Sequence, residues 1–293
     1  MKKIIVQLNH PGPEKKYNAE MYAKEKYPSY VMYNGQLIRD WNTENIHYRK
    51  LILNSGKYLD CLSSDEKNAE LIFWGEWEAP SVFIPFENKE IAQGLHCPIV
   101  VDETNSLLQN TDPYVFGSNF KYAICSQTGV MTQLAEGSLV LFGSTSSVGF
   151  LLDTVFVVKN SEIANSVYQN QASNYSKVYK KVTLDCLGNC YLTDKCTSSK
   201  NRIYSGKSWS EDKNYFSFVP CKIADSDSQS NGIEKLIIPH EFSDLSFNIT
   251  RQRQGHPYNH FKGYKPEDVW LELIQFVLSK GFYIGTYLEE PTF

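Results

Sequence analysis

The 293-residue chain contains no Walker phosphate loop, no GxSxG, no HExxH and no GxGxxG. Phosphate-loop ATPases, α/β-hydrolases, zincins and Rossmann dinucleotide enzymes are therefore disfavoured. It also lacks a long Lys/Arg run, and its net charge is −4. A tight, sequence-independent grip on nucleic acid needs many cations on one face, so a polymer binder is disfavoured while a nucleotide-sized ligand is not. No apolar stretch approaches the roughly 20 residues of a membrane span. The first apolar run, Ile4 to Val6, falls short of the roughly 7–15 residues of a signal-peptide core, so neither membrane insertion nor export is expected. The sequons at Asn174 and Asn248 carry little weight without an export signal.

Cysteine is sparse and odd in number, seven in all, which suits a reducing cytoplasm. Cys186, Cys190 and Cys196 are separated by three and then five residues, a poor match to the paired short spacers of structural zinc. His256 and His260 stand at a helical metal-ligand spacing, but Gly255 and Pro257 argue against a helix there. No metal site is read from either, and no cofactor or oligomeric state is assigned. Internal repeats and low-complexity tracts are absent.

What is abundant is aromatic residue: 14% of the chain, with 19 tyrosines and 16 phenylalanines, within a hydrophobic fraction of 42%. That composition belongs to a folded globular protein with a large core. An opening strand over 3–8 runs into the turn "NHPGPE". Residues 43–54 read as a helix, capped by Asn42 or Thr43 and stopped by Ser55-Gly56. Strands are expected at 70–78, 98–101, 120–125, 138–143 and 150–158, with a hairpin joining the last two and a helical turn ending at Gly137 before them. Further strands are expected near 178–184 and 214–223. Pro266, Glu267, Asp268 and Gly281 mark a helix over 266–280, with Val269, Trp270, Leu273, Ile274 and Val277 as its apolar face. The pattern predicts an α+β fold: a mixed, partly barrel-like sheet with flanking helices and a polar excursion. The expected organisation is a core over 1–160, the excursion or small subdomain over 161–235, and a C-terminal segment over 236–293 whose helix packs back on the core.

Four stretches concentrate chemistry. In "ELIFWGEWEAPS", residues 70–81, a strand pleat puts Trp74, Glu76 and Glu78 on one face and Phe73, Gly75 and Trp77 on the other. Carboxylates two positions apart, roughly 6.6–6.8 Å along a strand, flank a bond in the way of acid–base pairs. The alternative is an edge strand with solvated glutamates. In "RDWNTENIHYRK", His47 titrates near neutral pH, and with Arg49 and Lys50 it suits a phosphate or carboxylate, unless the segment is a solvated amphipathic helix. In "NTDPYVFGSNFKYAIC", Asp112 caps a turn or contributes to a base-stacking site with Tyr114 and Phe116. In "RQRQGHPYNHFKGY", Arg251, Arg253 and His256 form the densest cationic patch, whose functional reading is phosphate.

The runs "GSLVLFGSTSSVGFLLDTVFVV" and "NTDPYVFGSNFKYAIC" resemble the strand pair of nucleotide-modification-associated and PUA/EVE-like domains. In those families an acidic residue stands where this chain has Ser138. Over residues 110–158 the resemblance implies a small mixed barrel that handles modified bases or nucleotides, often encoded near phage or antiphage genes. It carries over no catalytic residue. The functional expectation is a cytoplasmic protein that binds a small nucleotide-like ligand. Trp74, Trp77, Tyr114 and Phe116 would stack the base, Glu76 would bind its edge, and Arg251, Arg253 and His256 would hold phosphate. The alternatives are cleavage or transfer of a glycosidic or N-glycosidic bond by Glu76, Glu78 and His47, or a protein-interaction module whose 160–235 excursion docks a partner.

Overall fold

Residues 50–59, "KLILNSGKYL", alternate poorly because they form a central strand with neighbours on both sides. The expected helix over 43–54 is corrected here: from Lys50 to Tyr58 every residue is in register with the strand 67–75, from Lys50↔Gly75 to Tyr58↔Lys67. Long-range pairing of nine residues outweighs the weak local helical signal, which amounted to two spaced apolar pairs. The part of that expected helix over 43–48 lies outside the described residues.

The computed structural model describes residues 3–9, 30–33, 36–39, 49–88, 90–100, 110–123, 127, 129–163, 174–186, 202–240, 245–252, 255 and 257–292. Among these, the first seven strands are β1 (Ile5–Asn9), β2 (Tyr30–Tyr33), β3 (Gln36–Arg39), β4 (Lys50–Leu59), β5 (Lys67–Gly75), β6 (Ser81–Pro85) and β7 (Gly94–Pro98). The next seven are β8 (Lys121–Tyr122), β9 (Leu139–Thr145), β10 (Gly149–Ile163), β11 (Arg202–Gly206), β12 (Val219–Ile223), β13 (Ile237–Pro239) and β14 (Tyr283–Leu288). The fold is mixed α+β, as expected.

One sheet runs β1-β9-β10-β11-β8, with β13 also on β10. The β9–β10 hairpin is the one expected over 138–158, and β1 adds to it in parallel, Ile5↔Leu139 through Asn9↔Gly143. The other sheet runs β14-β12-β5-β4-β7-β6-β3-β2. Because β14 pairs with both β12 and β4, strands β4, β5, β12 and β14 close into a small barrel. Closure brings Gly56 against Tyr287: a Cβ at Gly56 would lie 2.4 Å from the Tyr287 carbonyl oxygen, so only glycine fits.

Two hydrophobic clusters fill the space around the sheets, one containing Phe73, Trp77, Tyr114 and Phe116, the other Trp74, Phe218, Trp270 and Leu273. The C-terminal helix, Pro266–Ser279, buries the five residues expected on its apolar face. Its Trp270 donates Nε1–H to the Phe216 carbonyl at 2.7 Å. The strand expected at 178–184 is instead a helical turn over Lys177–Tyr179 continued by a π-type turn over Lys180–Leu184. The Ser176 hydroxyl accepts from Tyr179 N at its start, and Val178, Tyr179, Val182 and Thr183 form a buried stripe at helical spacing. The strand expected at 98–101 falls earlier, at Gly94–Pro98. Of the described part of the 120–125 expectation Lys121–Tyr122 is strand, residues 124 and 125 lying outside the described residues, and of 214–223 the strand is Val219–Ile223.

Gly56→Ala should cost about 3 kcal/mol, measured by urea denaturation, because the added methyl must push two barrel strands apart. A change below about 0.5 kcal/mol would show that the closure is loose.

Candidate functional site

Strand β5 ends at Gly75, and residues 76–80 leave it to reach β6, on the far side of β4 and β7. The pleat therefore stops at Gly75, and the expectation that Trp74, Glu76 and Glu78 share one face does not hold. Glu76 and Glu78 are each 1% exposed, so they are not solvated edge residues. They face the first two described residues of the β4 segment, Arg49 and Lys50, themselves 2% and 0% exposed. Arg49 Nη1 donates to Glu76 Oε2 at 3.0 Å, and Lys50 Nζ donates to Glu78 Oε1 at 2.7 Å. The basic pair and the acidic pair come together because β4 begins where β5 ends, with Lys50 opposite Gly75.

A third carboxylate arrives from the other sheet. Asp153 lies in an irregularity of β10, where the register with β9 slips between Leu152 and Thr154. Such a bulge inserts an extra residue and re-aims its side chain. Here Asp153 Oδ2 comes within 2.9 Å of Arg49 Nε. Arg49 thus spans two sheets, with Glu76 on one and Asp153 on the other.

A fourth carboxylate, Asp112, completes the group. Its backbone N–H donates to Glu76 Oε1 at 3.4 Å, and its Oδ1 accepts from Ala123 N at 2.8 Å, a bond that reaches eleven residues along the chain rather than across the Asp112-Pro113 turn. Thr111 anchors the same segment: its hydroxyl accepts from Glu78 N at 3.0 Å, and its carbonyl accepts from the Thr183 hydroxyl at 2.9 Å. Burial pushes the Glu76 carboxyl well above its ordinary value, with the Arg49 charge opposing and Glu78 and Asp112 adding to the rise. Burial likewise pushes Asp153 up to about 6 against the pull of Arg49.

The four rings expected to stack a base are core residues. Trp74 is 5% exposed, and Trp77, Tyr114 and Phe116 are at most 1% exposed. Trp77 and Tyr114 both pack edge-on to Phe116, at 5.2 and 5.5 Å, and Trp77 Nε1 donates to the Pro80 carbonyl at 2.8 Å. Trp74 belongs to the other cluster; its Nε1 donates to the Ile233 carbonyl at 3.0 Å, and the Lys235 ammonium lies 3.8 Å over its ring. The rings do not form one box, and each spends its faces on the protein. This corrects the stacking role given to them.

Arg251 is exposed, on a segment stitched to the free edge of β1. Gln7 exchanges two hydrogen bonds with the Thr250 backbone, and Asn9 donates to the Gln252 and Gly255 carbonyls. Strands β1 and β9 stand between that segment and the strand of Asp153, a separation of roughly 14 Å at the usual strand spacing. The structure therefore does not place Arg251 among the ionic group. His47, Arg253 and His256 lie outside the described residues.

Two open clefts occur elsewhere, one of about 700 Å³ lined by Lys3, Lys207, Tyr215 and Glu267, the other of about 520 Å³ lined by Lys222, Asp225, Ser228 and Tyr283. Neither includes a member of the ionic group. In the first, the lysines are already paired, Lys3 with Glu267 and Lys207 with Asp212.

Sequence reasoning placed Arg49 and Lys50 on a helix and passed over Asp153. The available signal was an acid inside the apolar run "FLLDTVFVV". In comparisons with known proteins, no family model, no curated protein and no solved structure matches the chain. Its reading rests on the geometry above.

The Asp153 shift fixes a pH dependence. Between about pH 4 and about pH 6 the folded chain holds a proton on Asp153 that the unfolded chain has released, so this group's contribution to stability falls as pH rises through that window. A rise from 3.8 to about 6 corresponds to about 3 kcal/mol. Glu76 acts in the same direction. Relative to Asp153→Asn, the wild type should lose about 3 kcal/mol between about pH 4 and about pH 7 in urea titrations. Parallel curves for the two proteins would show that Asp153 titrates normally.

Proposed function

We propose that the chain handles a nucleotide-like small molecule at the ionic group formed by Arg49, Lys50, Glu76, Glu78, Asp112 and Asp153. One observation carries this reading: six ionisable side chains meet in the interior, each at most 3% exposed. Apolar residues of similar volume often stabilise a core as well as buried ion pairs do, so stability alone is a weak reason for such a group. Concentrated buried charge with displaced protonation equilibria is the physical signature of a site that binds or reacts. A nucleobase edge is a short row of donors and acceptors. A guanidinium and carboxyls of differing protonation offer complementary partners to it. Trp77, Tyr114 and Phe116 then serve as the apolar wall behind the polar group rather than as the stacking platform.

The pairing of the two glutamates favours a second reading, cleavage or transfer of a glycosidic or N-glycosidic bond. Glu76 retains its proton to higher pH and suits a general acid, while Glu78 is held against the Lys50 ammonium and suits the opposing carboxylate.

A thermal-shift screen against nucleotides and nucleotide sugars tests the first reading, with stabilisation by at least one member as the expected result. Glu76→Gln should weaken that ligand at least about tenfold, since the replaced group faces Arg49 and the Asp112 N–H. Absence of any shift at millimolar ligand would sink the proposal. For the second reading, Glu76→Gln should lower turnover per folded molecule about 100-fold or more, assayed below the variant's own Tm. Unchanged turnover per folded molecule would make Glu76 structural.

A further inference from the structure

Lys121 stands on β8, at the end of its sheet. Its backbone is fixed on two sides: it exchanges hydrogen bonds with Tyr114, both at 2.8 Å, and pairs with Ser205 of β11. Its side chain is half-buried, and the ammonium donates to one backbone carbonyl, that of Asn119, at 3.2 Å. An ammonium carries three donors, and a charge withdrawn from water is ordinarily paired. Among the described residues Lys121 forms no ion pair. The rings of Tyr175 and Tyr179 lie 5.8 and 5.7 Å from its nitrogen, near the roughly 6 Å limit at which a ring face attracts a cation. They therefore exclude water from the amine more than they hold its charge. The surrounding carboxylates are engaged elsewhere: Glu290 accepts from Tyr114 and Ser176, Glu162 accepts from Tyr175, and Glu211 holds Lys159. Burial pushes the Lys121 amine below its ordinary value; Lys159 adds to the fall, while Glu290, Glu162 and Glu211 oppose it.

We infer that Lys121 is a nucleophilic lysine that condenses with a small, neutral carbonyl compound to form an imine. The inference does not depend on the ionic group. Desolvation without a counter-ion is one of the ways a lysine becomes a nucleophile, because it leaves more of the amine as free base at neutral pH. The paired strand holds the amine in place, and the half-buried side chain leaves it a path to solvent. Neither open cleft borders Lys121, so the partner must be small. Glu162, Glu211 and Glu290 outweigh Lys159 in its surroundings, which disfavours an anionic 2-oxo acid and favours an uncharged aldehyde. In the reaction the nitrogen lone pair attacks the carbonyl carbon, the carbonyl π pair moves to oxygen, and a proton passes from nitrogen to oxygen. The resulting carbinolamine takes up one proton from water and loses its hydroxyl as water as the nitrogen lone pair forms the C=N bond. The products are a protonated imine on Lys121 and one water molecule.

The test is reductive trapping on the full wild-type chain near neutral pH, with glycolaldehyde as the neutral probe and glyoxylate as the anionic one. Cyanoborohydride reduces each imine to a stable secondary amine, and peptide mass mapping reads the labelled sites and their rates. Glycolaldehyde should label Lys121 about tenfold or more faster than the exposed Lys262 and Lys265. Glyoxylate should favour Lys121 over those two lysines by a smaller factor. In urea, where burial is lost, the advantage of Lys121 should disappear. Lys121→Arg keeps the positive charge and should remove the fast site while the other lysines label as before. Labelling of folded Lys121 no faster than Lys262 and Lys265 would overturn the inference and leave its ammonium a structural contact of the two rings. An advantage that persists unchanged in urea would overturn it also, since the reactivity would then belong to local sequence. An equal or greater preference of Lys121 for glyoxylate would overturn the assignment of a neutral substrate.

Discussion

Arg49 is the point on which the two sheets depend electrostatically. Its guanidinium reaches Glu76 just past the end of β5 and Asp153 in the bulge of β10, with 2% of its own surface exposed. A planar fork with several donors suits this position, since a lysine offers a single point charge and cannot span two carboxylates in fixed geometry. Desolvating these charges is costly, and removing one partner of a buried pair typically costs about 3–5 kcal/mol because the other is left uncompensated. A smaller or neutral residue at Arg49 should therefore cost stability of that order.

Among the described residues, four carboxylates and two cations meet in this part of the interior. Arg49 pairs with Glu76 and Asp153, and Lys50 with Glu78, within a low-dielectric core. Burial pushes Glu76 and Asp153 toward their neutral forms. The network is thus a set of acids ordered by environment rather than by residue type, the condition that acid–base sites and selective polar pockets share. The tight barrel closure at Gly56 and Tyr287 holds β4 against β14, and β4 in turn carries Lys50 at its start.

Much of the fold was legible in the sequence. The β9–β10 hairpin and the C-terminal helix were written in local signals: apolar strands around a Gly/Ser loop, and Pro266 with an acidic first turn. The segment 50–59 was not legible, because its strand state is imposed by β5 and β7, neighbours that a window of sequence does not contain. The helical turn at 178–184 was present in the spacing of Val178 and Val182 but was masked by their β-branched character. At the site, Glu76 and Glu78 stood out as acids in an apolar stretch, and burial explains why they are there. Their partners did not stand out as partners, since Arg49 and Lys50 looked like a charged helix and Asp153 depends on a bulge that no motif announces. The aromatic residues misled for a simple reason: composition reveals that rings are abundant, and only packing reveals whether their faces are taken.

The direct test of this account is a double-mutant cycle between Arg49→Met and Asp153→Asn, read by urea unfolding at about pH 7. If Arg49 ties the two sheets, the two substitutions should be coupled by about 1.5 kcal/mol or more, within the range seen for residues sharing one buried network. Additive effects, with a coupling below about 0.3 kcal/mol, would contradict it and reduce the ionic group to neighbouring charges without a common role.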